Sequence, residues 1–189
     1  MNKTAVFIVD VQKDFCEGGA LAVKGGNSIV LVCNKLIKMA KERGCRVIAS
    51  RDWHPANHCS FKEFGGIWPA HCVAGTSGAD FHPSLALPSD TVIIDKGIAV
   101  EKDNYSAFDV AGVGEKLRSL GIERLVMCGL ATDYCVKATA LGAINEKFDV
   151  TVVSDGCAGV NVNPGDDVKA LKEMESAGAK VCQSSEVVM

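Results

Sequence analysis

The 189-residue sequence lacks the features that mark several specialised classes of protein. No apolar run approaches the ~20 residues of a membrane-spanning helix. No basic segment is followed by an apolar stretch and a small-residue cleavage site, as in a secretion signal. The basic residues form no cluster of the kind that binds nucleic acid, and the formal net charge is −3. We therefore expect a cytoplasmic protein with no membrane or nucleic-acid partner.

Paired cysteine motifs are also absent. None of the nine cysteines stands in a Cys-x-x-Cys pair, which argues against a zinc knuckle and a thioredoxin-type redox pair. Several cysteines lie within apolar runs, as Cys33 and Cys128 do, and these are predicted to be small buried hydrophobic residues. We expect reduced thiols, because disulfides are rare in the cytosol.

What is present is the composition of an ordinary folded domain, with 48% hydrophobic and 23% charged residues. No repeat, low-complexity tract or linker divides the sequence, so we predict a single domain over residues 1–189. Short apolar runs alternate with helical stretches. This alternation predicts an α/β fold, namely a doubly wound, Rossmann-like and mostly parallel six-stranded sheet with helices on both faces.

Hydrophobic periodicity and turn residues predict the individual elements. The predicted strands are Ala5–Val9, Arg46–Ser50, Thr91–Ile94, Arg124–Cys128, Asp149–Val153 and Lys180–Cys182. The predicted helices are one that Asn27 caps and that ends just before Gly44, then about Gly114–Leu120, Asp133–Glu146 and Asp166–Ala177. Residues 51–89 have no sustained period, and a loop of this length is more often functional than idle.

Doubly wound sheets place their chemistry at the carboxyl ends of the strands. Asp10, Lys96 and Cys135 each follow a predicted strand. Each has a simpler alternative: Asp10 as a turn-former, Lys96 as a solvated charge and Cys135 as a small core residue. If the three meet, the carboxylate can accept the thiol proton and the ammonium can stabilise both anions. Because Cys135 opens a predicted helix, we also expect the helix dipole to favour its thiolate.

A group of histidines points to a metal ion. Asp52 and His54 have a D-x-H spacing, and His58 and His71 follow, so that three of the four histidines lie within 18 residues. Imidazole and carboxylate ligands suit Zn²⁺, Fe²⁺ or Mn²⁺. A loop of exposed histidines is the alternative, and the concentration of histidines favours the metal site. His82 lies outside the group.

Several segments, in chain order, resemble the nicotinamidase branch of the isochorismatase-like cysteine hydrolases. They are IVDVQKDF (8–15), RDWHPANHCSF (51–61), WPAHCVAGTSGA (68–79), IDKG (94–97), CGLATDYCVKATA (128–140) and SDGCAG (154–159). The resemblance extends over nearly the whole chain. It implies an amidohydrolase of NAD salvage that converts nicotinamide to nicotinate and ammonia through a cysteine thioester. It also implies acceptance of analogues such as pyrazinamide, and it leaves a homo-oligomer open.

The resemblance implies roles for particular residues. Asp10, Lys96 and Cys135 match the catalytic triad. The match to the metal ligands falls on Asp52, His54 and His71, with zinc as the first choice of metal and iron or manganese as alternatives. Whether His58 is a further ligand stays open.

The resemblance also implies the surroundings of the nucleophile. A cis peptide bond is expected at Leu130–Ala131, and the N–H groups of Ala131 and Cys135 match the oxyanion hole. Phe15 and Trp68 match the aromatic walls of the substrate pocket, and Gln12 matches a residue at its periphery.

Two other interpretations remain. A metal-free relative, an isochorismatase or an N-carbamoyl amidase, is disfavoured because the set of Asp52, His54 and His71 is intact. A metal-sensing or redox-sensing binding protein predicts stoichiometric metal binding without turnover. In that case the placement of three triad candidates at three strand ends would be a coincidence.

Overall fold

The computed structural model describes residues 3–189 as a parallel sheet flanked by helices. The strands are β1 Thr4–Val9, β2 Arg46–Asp52, β3 Val92–Lys96, β4 Arg124–Leu130, β5 Asp149–Ala158 and β6 Lys180–Cys182. The helices are α1 Ile29–Glu42, α2 Val113–Ser119, α3 Lys137–Asn145 and α4 Asp166–Ser176. Within residues 3–189, no helix combines the length and the apolar character needed to cross a membrane.

The sheet has the order β3-β2-β1-β4-β5-β6, and every neighbouring pair is parallel. The predicted doubly wound, six-stranded α/β fold is therefore confirmed. The chain builds the sheet outwards in both directions from β1 and β4, and folds of this kind bind ligands in the crevice at that switch point. Asp10 follows β1 and Cys135 follows β4. The topology thus places these two residues at the crevice.

Strand β1 is the centre of the core, and all six of its residues are buried. Val6 and Ile8 belong to the apolar layer formed with α1. Phe7 and Val9 belong to the opposite layer, which is formed with α2, α3 and α4. Because both faces of the strand are covered, its sequence is a continuous apolar run and does not alternate with polar residues.

Strand β5 is twice as long as the predicted strand that ended at Val153. Its pairing with β4 is interrupted after Val152 and resumes at Cys157. Three of the four intervening residues, Ser154, Asp155 and Gly156, have the composition of a turn, which is why a prediction from local sequence ends too early. Such a bulge bends a strand and changes the direction of its side chains.

The helix predicted over 133–146 consists of two segments. Residues Thr132–Val136 form a π-helical turn, in which the Val136 N–H donates to the Ala131 carbonyl at 3.1 Å, and α3 begins only afterwards. A wider turn leaves the apolar pattern nearly unchanged, so the sequence does not reveal it. Single π turns occur often at functional sites.

Gly129 lets the end of β4 pass close to β1. Its φ is +135°, and a Cβ at this position would collide with the backbone carbonyl of Val9. The obstacle is main chain, which cannot move aside as a flexible side chain can. Glycine is therefore required here by space as well as by conformation.

We expect Gly129→Ala to lower the free energy of unfolding by about 1–3 kcal/mol more than Gly121→Ala does. Gly121 is a matched control because its φ is +77° while nothing lies within 4 Å of its Cβ position. Urea titrations of the wild type and both variants measure the difference. Equal losses in the two variants would show that conformation alone, and not the contact with β1, requires the glycine.

Candidate active site

Three charged residues lie at the carboxyl ends of neighbouring strands. Asp52 and Lys96 are the last residues of β2 and β3 and stand beside each other in the parallel register. Asp10 directly follows β1 and has a φ of +48°, so the chain turns sharply there. Lys96 was predicted to follow its strand and is in fact the final residue of it, which holds its backbone in the sheet.

The Lys96 ammonium joins these residues into one cluster. Its side chain is fully buried, and Nζ lies 3.0 Å from Asp10 Oδ2 and 3.3 Å from Cys135 Sγ. It also donates hydrogen bonds to Asp52 Oδ1 and, at 3.3 Å, to the Asn104 carbonyl. Burial by itself lowers the pKa of a lysine, but the two carboxylates outweigh this effect and raise the pKa of Lys96 well above its usual value. The side chain is therefore a buried cation that its partners compensate.

One oxygen of Asp10 is held in place and the other faces the cluster. Oδ1 accepts a hydrogen bond of 2.7 Å from Ser50 Oγ. Oδ2 lies beside Lys96 and accepts no well-aligned hydrogen bond from the described residues. Burial raises the pKa of Asp10, although the Lys96 charge opposes the shift. This carboxylate therefore has both a free lone pair and an increased affinity for a proton.

Cys135 lies in the π turn with its thiol buried against Lys96. Burial raises the pKa of this thiol well above its usual value, and the Lys96 charge only opposes that effect. The pKa therefore shifts against the direction expected from the position of Cys135 near the start of a helix, because the desolvation of the sulfur is the larger effect. A neutral thiol needs a base, and a carboxylate oxygen of Asp10 lies within 4.8 Å of the sulfur.

Asp52, His54 and His71 form a buried group whose potential ligand atoms lie within 4.8 Å of one another. Nδ1 of His54 donates to the Gly97 carbonyl at 2.9 Å, and Nδ1 of His71 donates to the Pro69 carbonyl at 2.8 Å. These bonds fix the tautomers and leave each Nε2 free to bind a metal, the arrangement found in most histidine metal sites. Nε2 of His54 lies 3.6 Å from Asp52 Oδ2.

The residues of this group fit a divalent metal ion. Two imidazole nitrogens and one carboxylate oxygen are ligands that zinc, iron and manganese accept. Two carboxylates, Asp10 and Asp52, adjoin the single ammonium of Lys96, so a nearby divalent cation would offset the excess negative charge. A second group of potential ligands, Asp10, Asp52 and Cys135, surrounds that ammonium, which already supplies the positive charge there.

His58 does not belong to the group of potential ligands. Its Nδ1 pairs with Ser60 Oγ at 2.7 Å and its Nε2 with the Lys102 carbonyl at 3.1 Å, so both ring nitrogens have protein partners. The ring stacks on His54 with a centroid distance of 4.1 Å. The structure therefore places His58 as a support for the His54 ring. His82 lies elsewhere, and its Nδ1 accepts from the Ser84 N–H.

Aromatic side chains contact His71 and Tyr134, the residue directly before Cys135. The buried Phe15 ring lies 5.5 Å from that of His71. Trp68 donates from Nε1 to the Tyr105 hydroxyl at 2.9 Å, and its ring meets that of Tyr134 edge to face at 5.1 Å. Burial raises the pKa of Tyr105 to about 12, so its hydroxyl stays protonated. The two predicted aromatic residues thus stand among a larger set.

The expected cis peptide bond is present between Leu130 and Ala131. It connects the end of β4 to the π turn that carries Cys135. Ala131 and Cys135, the two residues predicted to donate to an oxyanion, therefore belong to one short segment at the crevice.

Comparison with known proteins agrees with this geometry. The profile of the isochorismatase domain matches residues 4–186. The chain belongs to the isochorismatase family. It is 44% identical over 200 residues to the nicotinamidase of Escherichia coli, a match that covers 95% of this chain and 94% of the relative.

Solved structures of family members match closely as well. The pyrazinamidase of Pyrococcus horikoshii in complex with zinc superposes with a TM-score of 0.92 at 44% identity, covering 96% of this chain and 99% of that one. PnC1 of L. infantum in complex with nicotinate superposes with a TM-score of 0.91 at 36% identity, covering 98% and 95%.

Sequence reasoning missed three residues of this site. Ser50 lies inside an apolar strand, and only the adjacent Asp10 carboxylate reveals its role. Tyr105 lies in a segment without any motif, while Tyr134 directly precedes Cys135 within a quoted segment. Their contacts with Trp68 bring together parts of the chain 37 and 66 residues apart, which no local pattern reports.

We expect His71→Ala to raise the dissociation constant for a divalent metal by more than about 100-fold, since it removes a ligand and not merely an outer partner. His82→Ala is the control, because it removes a histidine outside the group of ligands. Elemental analysis of the purified proteins and titration with Zn²⁺ measure the effect. Unchanged metal content in the His71 variant would contradict this set of ligands.

Proposed function

We propose that this chain is a nicotinamidase, which hydrolyses nicotinamide to nicotinate and ammonia in NAD salvage. The observation that carries the proposal is the buried ammonium of Lys96, which joins Asp10 and Cys135 and, through Asp52, adjoins a metal site. The relatives named nicotinamidase and the related structure that holds nicotinate support the same substrate. The name pyrazinamidase of another relative supports pyrazinamide as an analogue.

In the first step we assign Asp10 as the general base and Cys135 as the nucleophile. Asp10 Oδ2 takes the thiol proton, and the sulfur attacks the carboxamide carbon. Lys96 remains charged and stabilises the thiolate as it forms, at the contact of 3.3 Å. The raised pKa of Asp10 suits a group that must first hold this proton and then release it.

The carboxamide oxygen becomes an oxyanion in this step. We assign the N–H groups of Ala131 and Cys135 as its donors, because Ala131 caps the turn that carries Cys135. Backbone donors of this kind each contribute roughly 3–4 kcal/mol in comparable sites. Asp10 then gives its proton to the departing ammonia, which leaves a thioester on Cys135. Water, with Asp10 again as the base, hydrolyses the thioester to nicotinate.

Asp52, His54 and His71 would hold the metal, for which we propose zinc because a related structure contains it. The bound ion would supply a Lewis acid that coordinates the pyridine nitrogen of the substrate. Phe15 and Trp68 pack the ring by apolar contact, and so the carboxamide is directed towards Cys135. We assign the aromatic contacts and the metal to orientation, and the chemical steps to the triad.

Ammonia release from nicotinamide is the first measurement. We expect the purified protein to release ammonia, to lose the activity when a chelator removes the metal and to regain it when Zn²⁺ is added. Iron and manganese added to the same apoprotein identify the preferred metal. If folded, metal-loaded protein released no ammonia with any of these ions, the proposed activity would be wrong and a binding role would gain support.

Replacement of the nucleophile is the second measurement. We expect Cys135→Ala to reduce kcat to less than about one-thousandth of the wild-type value, since no other group can form the thioester. Metal content should not change. Cys45→Ala is a matched control, because Cys45 is also a buried free thiol. It lies just before β2, at the amino ends of the strands and so on the side of the sheet opposite to the site. Substantial turnover by the Cys135 variant would exclude it as the nucleophile.

A further inference from the structure

The backbone ladder between β1 and β2 ends just before the proposed metal ligand Asp52. The last bond of the ladder runs from the Asp10 N–H to the Ser50 carbonyl at 3.2 Å. The chain then turns at Asp10, where φ is +48°, and the Gln12 N–H donates back to the Asp10 carbonyl at 2.8 Å. The turn brings the Asp10 side chain into the site, but it removes the β1 backbone that would otherwise have paired with Asp52.

The side chain of Gln12 takes the place of that missing backbone. Its Oε1 accepts from the Asp52 N–H at 2.8 Å, and its Nε2 donates to the Asp52 carbonyl at 2.8 Å. The second hydrogen of Nε2 goes to the Ala79 carbonyl at 2.9 Å. Gln12 is fully buried, so water does not compete for these bonds. A carboxamide has the same donor and acceptor as a peptide group, and here it extends the sheet by one pairing.

We propose that Gln12 is a positioning residue for the metal site and that it acts through Asp52. The inference rests on the role of Asp52 as a ligand in the proposed function. The Asp52 carboxylate has two tasks, because Oδ1 accepts from Lys96 while Oδ2 faces His54. A carboxylate shared in this way tolerates little rotation of its own backbone. Gln12 prevents that rotation by holding the peptide groups on both sides of the Asp52 Cα.

A purely structural role for Gln12 predicts a loss of stability and nothing else. Asn34 provides a control that distinguishes this structural role from the proposed role at the metal site. Its amide also pairs with two backbone groups, donating to the Ser84 carbonyl at 2.7 Å and accepting from the Ala86 N–H at 2.8 Å. Neither partner is a proposed ligand, and the nearest ligand along the chain, His71, is 13 residues before Ser84. Gln12 and Asn34 thus make the same kind of bond, and only Gln12 makes it to a metal ligand.

The experiment compares Gln12→Met with Asn34→Leu, each of which keeps the approximate shape of the side chain and removes the amide. Circular dichroism and urea titration establish folding and stability, and competition with a chromogenic chelator measures the dissociation constant for Zn²⁺. We expect Gln12→Met to weaken Zn²⁺ binding by about 10- to 100-fold, as outer partners of metal ligands do. Asn34→Leu should bind Zn²⁺ like the wild type, even where it loses stability.

Gln12→Ala is measured alongside as a second variant, for use if the methionine variant does not fold. Its smaller side chain leaves space for water to hydrogen-bond the peptide groups of Asp52 and Ala79, which favours folding. Binding of Zn²⁺ within about twofold of the wild type by either folded Gln12 variant overturns the inference. An equal weakening in the Asn34 variant overturns it too, since the effect would then follow from stability. If the wild type itself bound no Zn²⁺, the proposed ligands would be wrong, and that failure is distinct from a failure of Gln12 to matter.

Discussion

The buried ammonium of Lys96 is the interaction on which the site depends. A charge without access to water is tolerated only among opposite charges and hydrogen-bond acceptors, and here Asp10, Asp52 and the Asn104 carbonyl provide them. The same cation lies against the Cys135 sulfur. The same arrangement therefore compensates the buried charge and holds it beside the proposed nucleophile. Removing Lys96 would leave both carboxylates buried without a counter-charge, so the cation stabilises the whole group.

The parallel sheet makes this arrangement available. The neighbouring strands β3, β2, β1 and β4 have their carboxyl ends on the same side of the sheet. Lys96, Asp52, Asp10 and Cys135 lie at or after these ends, in that order. Asp52 connects the two halves of the site, since one carboxylate oxygen accepts from Lys96 and the other faces His54. The proposed base and the proposed metal site are therefore connected by a single side chain, whose backbone the Gln12 amide supports.

Much of the fold and of the candidate site could be predicted, because the relevant signals are local. Apolar runs identify strands that are buried on both faces, and strand ends identify Asp10, Asp52 and Lys96. The π turn around Cys135 was not predictable because it leaves the apolar pattern nearly unchanged. The bulge after Val152 was not predictable because its residues have the composition of a turn although the strand continues beyond them. The direction of the pKa shift at Cys135 was also not predictable, since burial of the sulfur outweighs the favourable charge of Lys96.

The sequence by itself determined the order of elements, the class of sheet, the concentration of histidines and the kinship with a family of hydrolases. These follow from the types of residue and their spacing along the chain. Only the tertiary structure decided that His58 supports the His54 ring, that Ser50 holds Asp10 and that Gln12 holds Asp52. Each of these outcomes depends on which group lies within hydrogen-bonding or stacking distance. For Ser50 and Gln12 that partner is 40 residues away in the chain, and the packing of the whole sheet sets the distance between them.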